Sequence, residues 1–212
     1  MKQFESFDFD PYICRKELKE LKSLLDENRE LKERQDILPF FRARKHLSVF
    51  AGSYVPDIVN FDMIAYEFSF YSDFSSDLAI GDSETKTFCF VEFEDATDTS
   101  IFRRRGKKST PEWSPRFEHG FSQIVDWFWK LDDMSRTADF KNRFGTHYIN
   151  YYGLLVLGRS TEMEYREQQR LKWRLDKILV DSKHIFCVTF DDLYSDLENR
   201  LKIYQNICSS DK

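Results

Sequence analysis

Apolar positions along the chain change period several times. Over residues 16–36, KELKELKSLLDENRELKERQD, the residues Leu18, Leu21, Leu24 and Leu25 recur among charges at helical spacing, which predicts a helix. LPFFRARKHLSVFAGSYV predicts a second helix with Pro39 near its start. Three strand-like runs follow at 61–70, 75–81 and 86–94, and GDSET joins the last two as a hairpin. Residues 101–116 read as a loop punctuated by Gly106, Pro111 and Pro115. In 117–133, Phe117, Phe121, Ile124, Val125, Phe128 and Leu131 make one side of an amphipathic helix. A buried strand is expected at 149–158, then a helix opened by a capping box from Thr161 to Glu164. HIFCVTF reads as a further strand, with Asp191 or Asp192 capping a last helix. This order predicts one mixed α/β (α+β) domain over 1–212, with 1–36 as an N-terminal helical appendage.

Composition narrows the class. Hydrophobic residues make up 41% and aromatics 17%, with 21 Phe, enough to bury a core and to exclude wholesale disorder. The net charge of -5 gives no global sign of a nucleic-acid binder, although a sum can hide a local basic patch. Cys14, Cys89, Cys187 and Cys208 are dispersed, with no CxxC and no His at metal spacing, which excludes a zinc site and a disulfide framework. Cys89 and Cys187 lie in apolar runs and read as buried thiols. No apolar run approaches the ~18 residues of a membrane span, and MKQFESFDFD lacks the apolar region of a secretory signal. A reduced, cytoplasmic protein is expected. Only 7 Gly and no Walker loop argue against a nucleotide cofactor.

The candidate chemistry sits in FCFVEFEDA. Glu92 and Glu94 are two residues apart on a strand and so share a face. The hairpin brings Asp77 within a residue or so of Glu92. Close carboxylates share a proton or bind a cation. Asp77, Glu92 and Glu94 therefore suit Mg2+, with Mn2+ able to substitute, and such an ion activates phosphodiesters for hydrolysis. The plainer reading of an ExE is a solvated strand end. Glu67 is either an auxiliary acid or a half-exposed strand residue, Asp82 reads as a turn former, and His119 lies near the start of the 117–133 helix. The local basic patch is RRRGKK, where Arg103, Arg104, Arg105, Lys107 and Lys108 suit phosphate contacts or simply balance nearby acids.

The ordered set resembles the PD-(D/E)xK nuclease superfamily. The matching residues are Ser76–Asp77, then Glu92–Phe93–Glu94, in a core of helix, three strands, helix and strand. Here a C-terminal helix, strand and helix are added. Gln123 and Trp127 match the Gln-xxx-(Tyr/Trp) element found with that core. Helical spacing puts Trp127 on the polar side of its helix, with Arg116 and Lys130, where it either backs the site or covers a second layer of structure. SDLAIGD, FVEFEDA, WSPRFEHGFSQIVDWFWKLDD, INYYGLLVLGR and IFCVTFDDLYSDL further resemble the Shedu anti-phage defence nucleases over about residues 16 to 206. The resemblance implies a restriction-endonuclease-like fold and Mg2+-dependent hydrolysis of double-stranded DNA, ends included, in bacterial defence. It implies a homo-oligomer, dimer or tetramer. Asp77, Glu92, Glu94 and Gln123 become the catalytic set, with Trp127 backing the site and Arg116, Lys130 and the basic loop holding DNA. One departure stands out: the family commonly has Lys where Glu94 stands. A Glu there ligates the metal, acts as a base, or marks a spent site that binds DNA without cutting it. Lys86, Lys107, Lys108 and Lys130 are candidates for a relocated lysine.

Overall fold

The computed structural model describes residues 4–104, 106 and 110–210. Strand β1 (Glu5–Ser6) leads into helix α1 (Pro11–Glu27), which Asp10 caps by accepting from the N–H groups of Tyr12 and Ile13. In place of one helix over 16–36, α1 stops at Asn28. There the Arg159 guanidinium donates to the exposed carbonyls of Leu25 and Asn28 while pairing with Asp191. The chain then crosses in extended form to a π-helical turn at Glu33–Ile37. The expected second helix is likewise broken at Arg44, into α2 (Leu38–Ala43) and α3 (Lys45–Phe50).

Strands β2 (Met63–Phe70), β3 (Phe74–Asp82) and β4 (Thr87–Phe93) form an antiparallel meander, in which β3 and β4 are the expected hairpin. Asp82 makes the β3–β4 turn. Burial alone would raise its pKa, but it accepts N–H groups from Val59, Asn60, Glu84 and Thr85, which hold it below the usual carboxylate range. The loop at 101–116 contains a small hairpin of β5 (Phe102–Arg103) and β6 (Glu112–Trp113). Helix α4 (Pro115–Met134) is capped by Ser114, and the short α5 (Ala138–Phe144), absent from the sequence reading, ends on left-handed Gly145. Then come β7 (Asn150–Val156), α6 (Tyr165–Lys177), β8 (Ile185–Val188) and α7 (Phe190–Ser210). The capping box of α6 runs from Glu164 to Glu167 rather than from Thr161, because Ser160–Glu162 is spent in a 3-10 turn. Thr189 caps α7, and Asp191 is taken by Arg159.

The main sheet has the order β1-β2-β3-β4-β7-β8, antiparallel up to β4 and parallel from β4 to β8. The expected mixed α/β class is therefore the observed one. Central β4 and β7 are buried on both faces, which explains their near-continuous apolar runs. One face carries the layer of α1, α2, α3 and α7 around Phe41, Phe50 and Phe93. The other carries α4, α5 and α6 around Phe88, Phe90 and Phe128. Among the described residues, no helix is long and apolar enough to cross a membrane.

Two glycines set how near α4 lies to the sheet. A Cβ on Gly153 would fall 2.3 Å from Ile124 Cγ2, and one on Gly120 would fall 2.6 Å from Leu155 Cδ1. Gly153→Ala is expected to push α4 outward and cost about 1–3 kcal/mol by overpacking. A urea midpoint shift measures this, and an unchanged midpoint contradicts it.

Candidate active site

The end of the β3–β4 hairpin builds the site. The register pairs Leu78 with Val91, and one further step sets Asp77 opposite Glu92. The Phe93 N–H donates to Asp77 Oδ2 at 2.8 Å and locks that end. Ala79, Phe88 and Phe90 pack under α4. Side-chain alternation puts Asp77 and Glu92 on that same face, one step beyond the apolar cluster. The chain continues through Glu94, whose N–H donates to Val156 O at 2.9 Å. Asp95 then tethers the crossing segment, accepting from the Glu33 N–H at 2.9 Å and from Lys32 Nζ at 3.2 Å. Leu31 pairs with Ala96 beside it.

From the other side, the first turn of α4 supplies Arg116. A cation there opposes the helix dipole and needs acids to hold it. It has them: Nη1 lies 2.8 Å from Glu94 Oε2 and 4.0 Å from Glu33 Oε2, and Nη2 lies 3.0 Å from Asp95 Oδ2. Gln123, two turns on, faces the same pocket. Its Oε1 is buried and makes no hydrogen bond. The pocket has a volume of about 820 Å³ and is lined by Lys32, Glu33, Arg34, Gln35, Ser75, Asp77, Glu92, Glu94, Asp95, Pro115, Arg116, His119 and Gln123.

These acids are not a wet strand end. Glu92 is 8% exposed, Glu94 3% and Asp95 4%. Burial, then the charges of Asp77, Glu94 and Glu33, push the Glu92 carboxyl well above its ordinary range, against the Gln123 amide beside it. Burial also raises Asp77, against the Phe93 N–H, with Glu33 and Glu94 adding to the rise. Burial raises Glu94 too, opposed by the hydrogen bond from Arg116.

Among the described residues, no group of three or more His, Cys, Asp or Glu closes into a metal cage. Mg2+ does not require one, since it is usually held by one or two carboxylates with waters and substrate phosphate. Asp77 and Glu92 supply two carboxylates, neither in an ion pair among the described residues, beside the unpartnered Gln123 Oε1. The donor set fits a hard divalent cation.

Asp77, Glu92, Glu94, Gln123 and Arg116 therefore meet in one pocket, with His119. Other expected residues lie elsewhere. Lys130 lies outside the pocket lining, between Asp73 at 2.7 Å and Asp133 at 3.5 Å. Arg103 is opposite Glu112, and Arg104 pairs with Glu164 and Glu167 beside a separate, smaller pocket. Arg105, Lys107 and Lys108 lie outside the described residues. Glu67 pairs with Arg42 on the surface. Lys86 lies in the turn before β4, at the opposite end from the carboxylates. Trp127 needs correction. It is fully buried and stacks on Phe70 at 5.3 Å, because α4 is enclosed over more than one side, so the indole belongs to the core rather than to a polar stripe. The sequence reading missed Lys32, Glu33 and Asp95. The visible signal for Asp95 is its place directly after the ExE, while Lys32 and Glu33 are hidden inside what reads as one long helix.

Residues 30–194 match the family model described as Shedu protein SduA, C-terminal. The matched segment contains every residue lining the carboxylate pocket. No curated protein matches the chain.

Proposed function

The chain belongs to the Shedu SduA C-terminal family, and we propose that it is a metal-dependent DNA nuclease of bacterial anti-phage defence, working in the cytoplasm. The observation that carries this reading is half-buried Asp77 beside buried Glu92, one step beyond the Leu78–Val91 pair, with neither in an ion pair among the described residues.

Phosphodiester hydrolysis bonds a water oxygen to phosphorus and breaks one P–O ester bond, giving a phosphomonoester and an alcohol. The chain must hold the phosphate, take the proton of the water and steady the charge that develops. Asp77 and Glu92 would hold Mg2+ or Mn2+, which when bound supplies Lewis-acid charge at the phosphate and the attacking water. Glu94 has one oxygen on Arg116, and its other oxygen accepts the water's proton. Its raised pKa brings it nearer the working pH of a general base. The leaving oxygen is protonated from solvent. Gln123 orients the water or the DNA backbone through an amide that has nothing else to bind at Oε1. Arg116 and the basic loop residues Arg103, Arg105, Lys107 and Lys108 hold phosphates, while Arg104 and Lys130, each engaged by two acids, contribute less.

A second reading has one specific support: Glu94 stands where the family commonly has Lys, and a nuclease-fold module with a spent site binds DNA or a phage component without cutting. Incubation with supercoiled and linear DNA in Mg2+, Mn2+ and EDTA separates the two. The nuclease nicks or degrades DNA only with metal. DNA that is bound but intact under every metal favours the spent module.

A further inference from the structure

We infer that this site takes a single divalent cation, on Asp77 and Glu92, and that Arg116 fills the place of a second one. The inference rests on the metal-dependent reading above and deepens it.

The pocket's acids fall into two groups by their partners. Asp77 and Glu92 lie on neighbouring strands one step beyond the Leu78–Val91 pair, and neither is in an ion pair among the described residues. The unpartnered Gln123 Oε1, itself buried, lines the pocket with them. Glu94, Asp95 and Glu33 instead converge on one guanidinium, at 2.8, 3.0 and 4.0 Å. Arg116 starts a helix, where the dipole disfavours it, so those acids hold it rather than the helix. A guanidinium is always charged and presents fixed donors to several carboxylates at once, so it remains a cation at any working pH.

Charge balance agrees. Five carboxylates line the pocket, Glu33, Asp77, Glu92, Glu94 and Asp95, against the three cations Lys32, Arg34 and Arg116. The formal excess is two negative charges, which one divalent ion neutralises. A second ion would overcharge the pocket by two if Arg116 stayed, or by one if it expelled Arg116 from its three acids. Arg116 is 46% exposed by side chain, so its outer face remains open to a substrate phosphate. Glu94 then holds that cation through Oε2, besides offering its other oxygen to the water, which gives the acid at this place a use that a lysine there could not have.

The test counts ions on DNA-free protein, with Mn2+ as the probe, by calorimetry and by the free-Mn2+ paramagnetic signal. Wild type is expected to bind one Mn2+. Arg116→Ala is expected to bind two, and Arg116→Lys one. Glu94→Gln is expected to change the Mn2+ affinity less than ~3-fold, whereas Glu92→Gln abolishes binding. Two ions on wild type, or one on a folded Arg116→Ala, overturn the inference. So does a loss of 10-fold or more in affinity in Glu94→Gln, which decides the matter even if Arg116→Ala does not fold. No ion on wild type overturns the metal-dependent reading itself, a result distinct from any of these.

Discussion

Glu92→Gln is expected to abolish metal-dependent cleavage, to leave DNA binding intact and to raise the melting temperature of the metal-free protein. The three effects share one cause. Glu92 is almost wholly buried and faces Asp77, with Glu94 and Glu33 near enough to raise its pKa further. Placing Lewis-acid charge on a phosphate is worth several kcal/mol, and about 4 kcal/mol is a ~10³-fold change in rate. Binding depends on phosphate contacts made by other residues, so it should survive. Glutamine keeps the shape and is neutral without the proton that the buried carboxyl must take up on folding. Single-turnover cleavage, gel shift and thermal melting read the three effects. Loss of DNA binding together with cleavage, or a lower melting temperature, contradicts this assignment.

The second large effect is on stability, and its direction depends on metal. Asp77 and Glu92 hold their protons more tightly in the folded chain than in the unfolded one. The folded state therefore binds more protons. The stability from these groups is fully present below the ordinary carboxylate range near pH ~4, and it is lost as pH rises through the raised folded values. The metal-free protein should therefore lose stability steadily between mildly acid and neutral pH. A divalent cation offsets the repulsion. At ~100 times its Kd it adds about 2.7 kcal/mol, or roughly 5–10 °C in a chain of this size. Melts across pH 5 to 8 in EDTA and in Mn2+ measure both. The expected curves diverge as pH rises, with the EDTA curve falling. Parallel curves, or a gain from Mn2+ that survives in Glu92→Gln, would sink the assignment of the ion to this pair. Asp82 runs the other way: its stabilisation by backbone N–H groups is lost as pH falls, and metal does not touch it.

What is legible in the sequence depends on whether neighbours in the chain decide it. The β3–β4 hairpin is legible because its short turn and two-residue period fix the register, and Asp77 falls within a residue or so of Glu92, one step beyond the Leu78–Val91 pair. Asp82 is legible as a turn former for the same local reason. The break after α1 is not. DENRELKER carries charges suited to a helix, and what stops it is Arg159, more than a hundred residues away, donating to Leu25 and Asn28 carbonyls. That break delivers Lys32 and Glu33 to the pocket, so two site residues are invisible in the sequence. Trp127 is misplaced by a reading that gives α4 one apolar stripe, whereas the helix is covered by Phe70 as well as by the sheet centre. The seven-residue α5 is too short to show a period. The charge of Arg116 alone suggests a contact to DNA backbone. Only the fold shows the three acids that surround it.

The most direct measurement is cleavage of one end-labelled duplex under single-turnover conditions, with protein in excess and Mg2+ removed and restored in the same reaction. Cleavage should stop on addition of EDTA, resume with excess Mg2+, and be absent throughout in Glu92→Gln. Cleavage that continues in EDTA, or at an undiminished rate in Glu92→Gln, would contradict a nuclease built on Asp77 and Glu92.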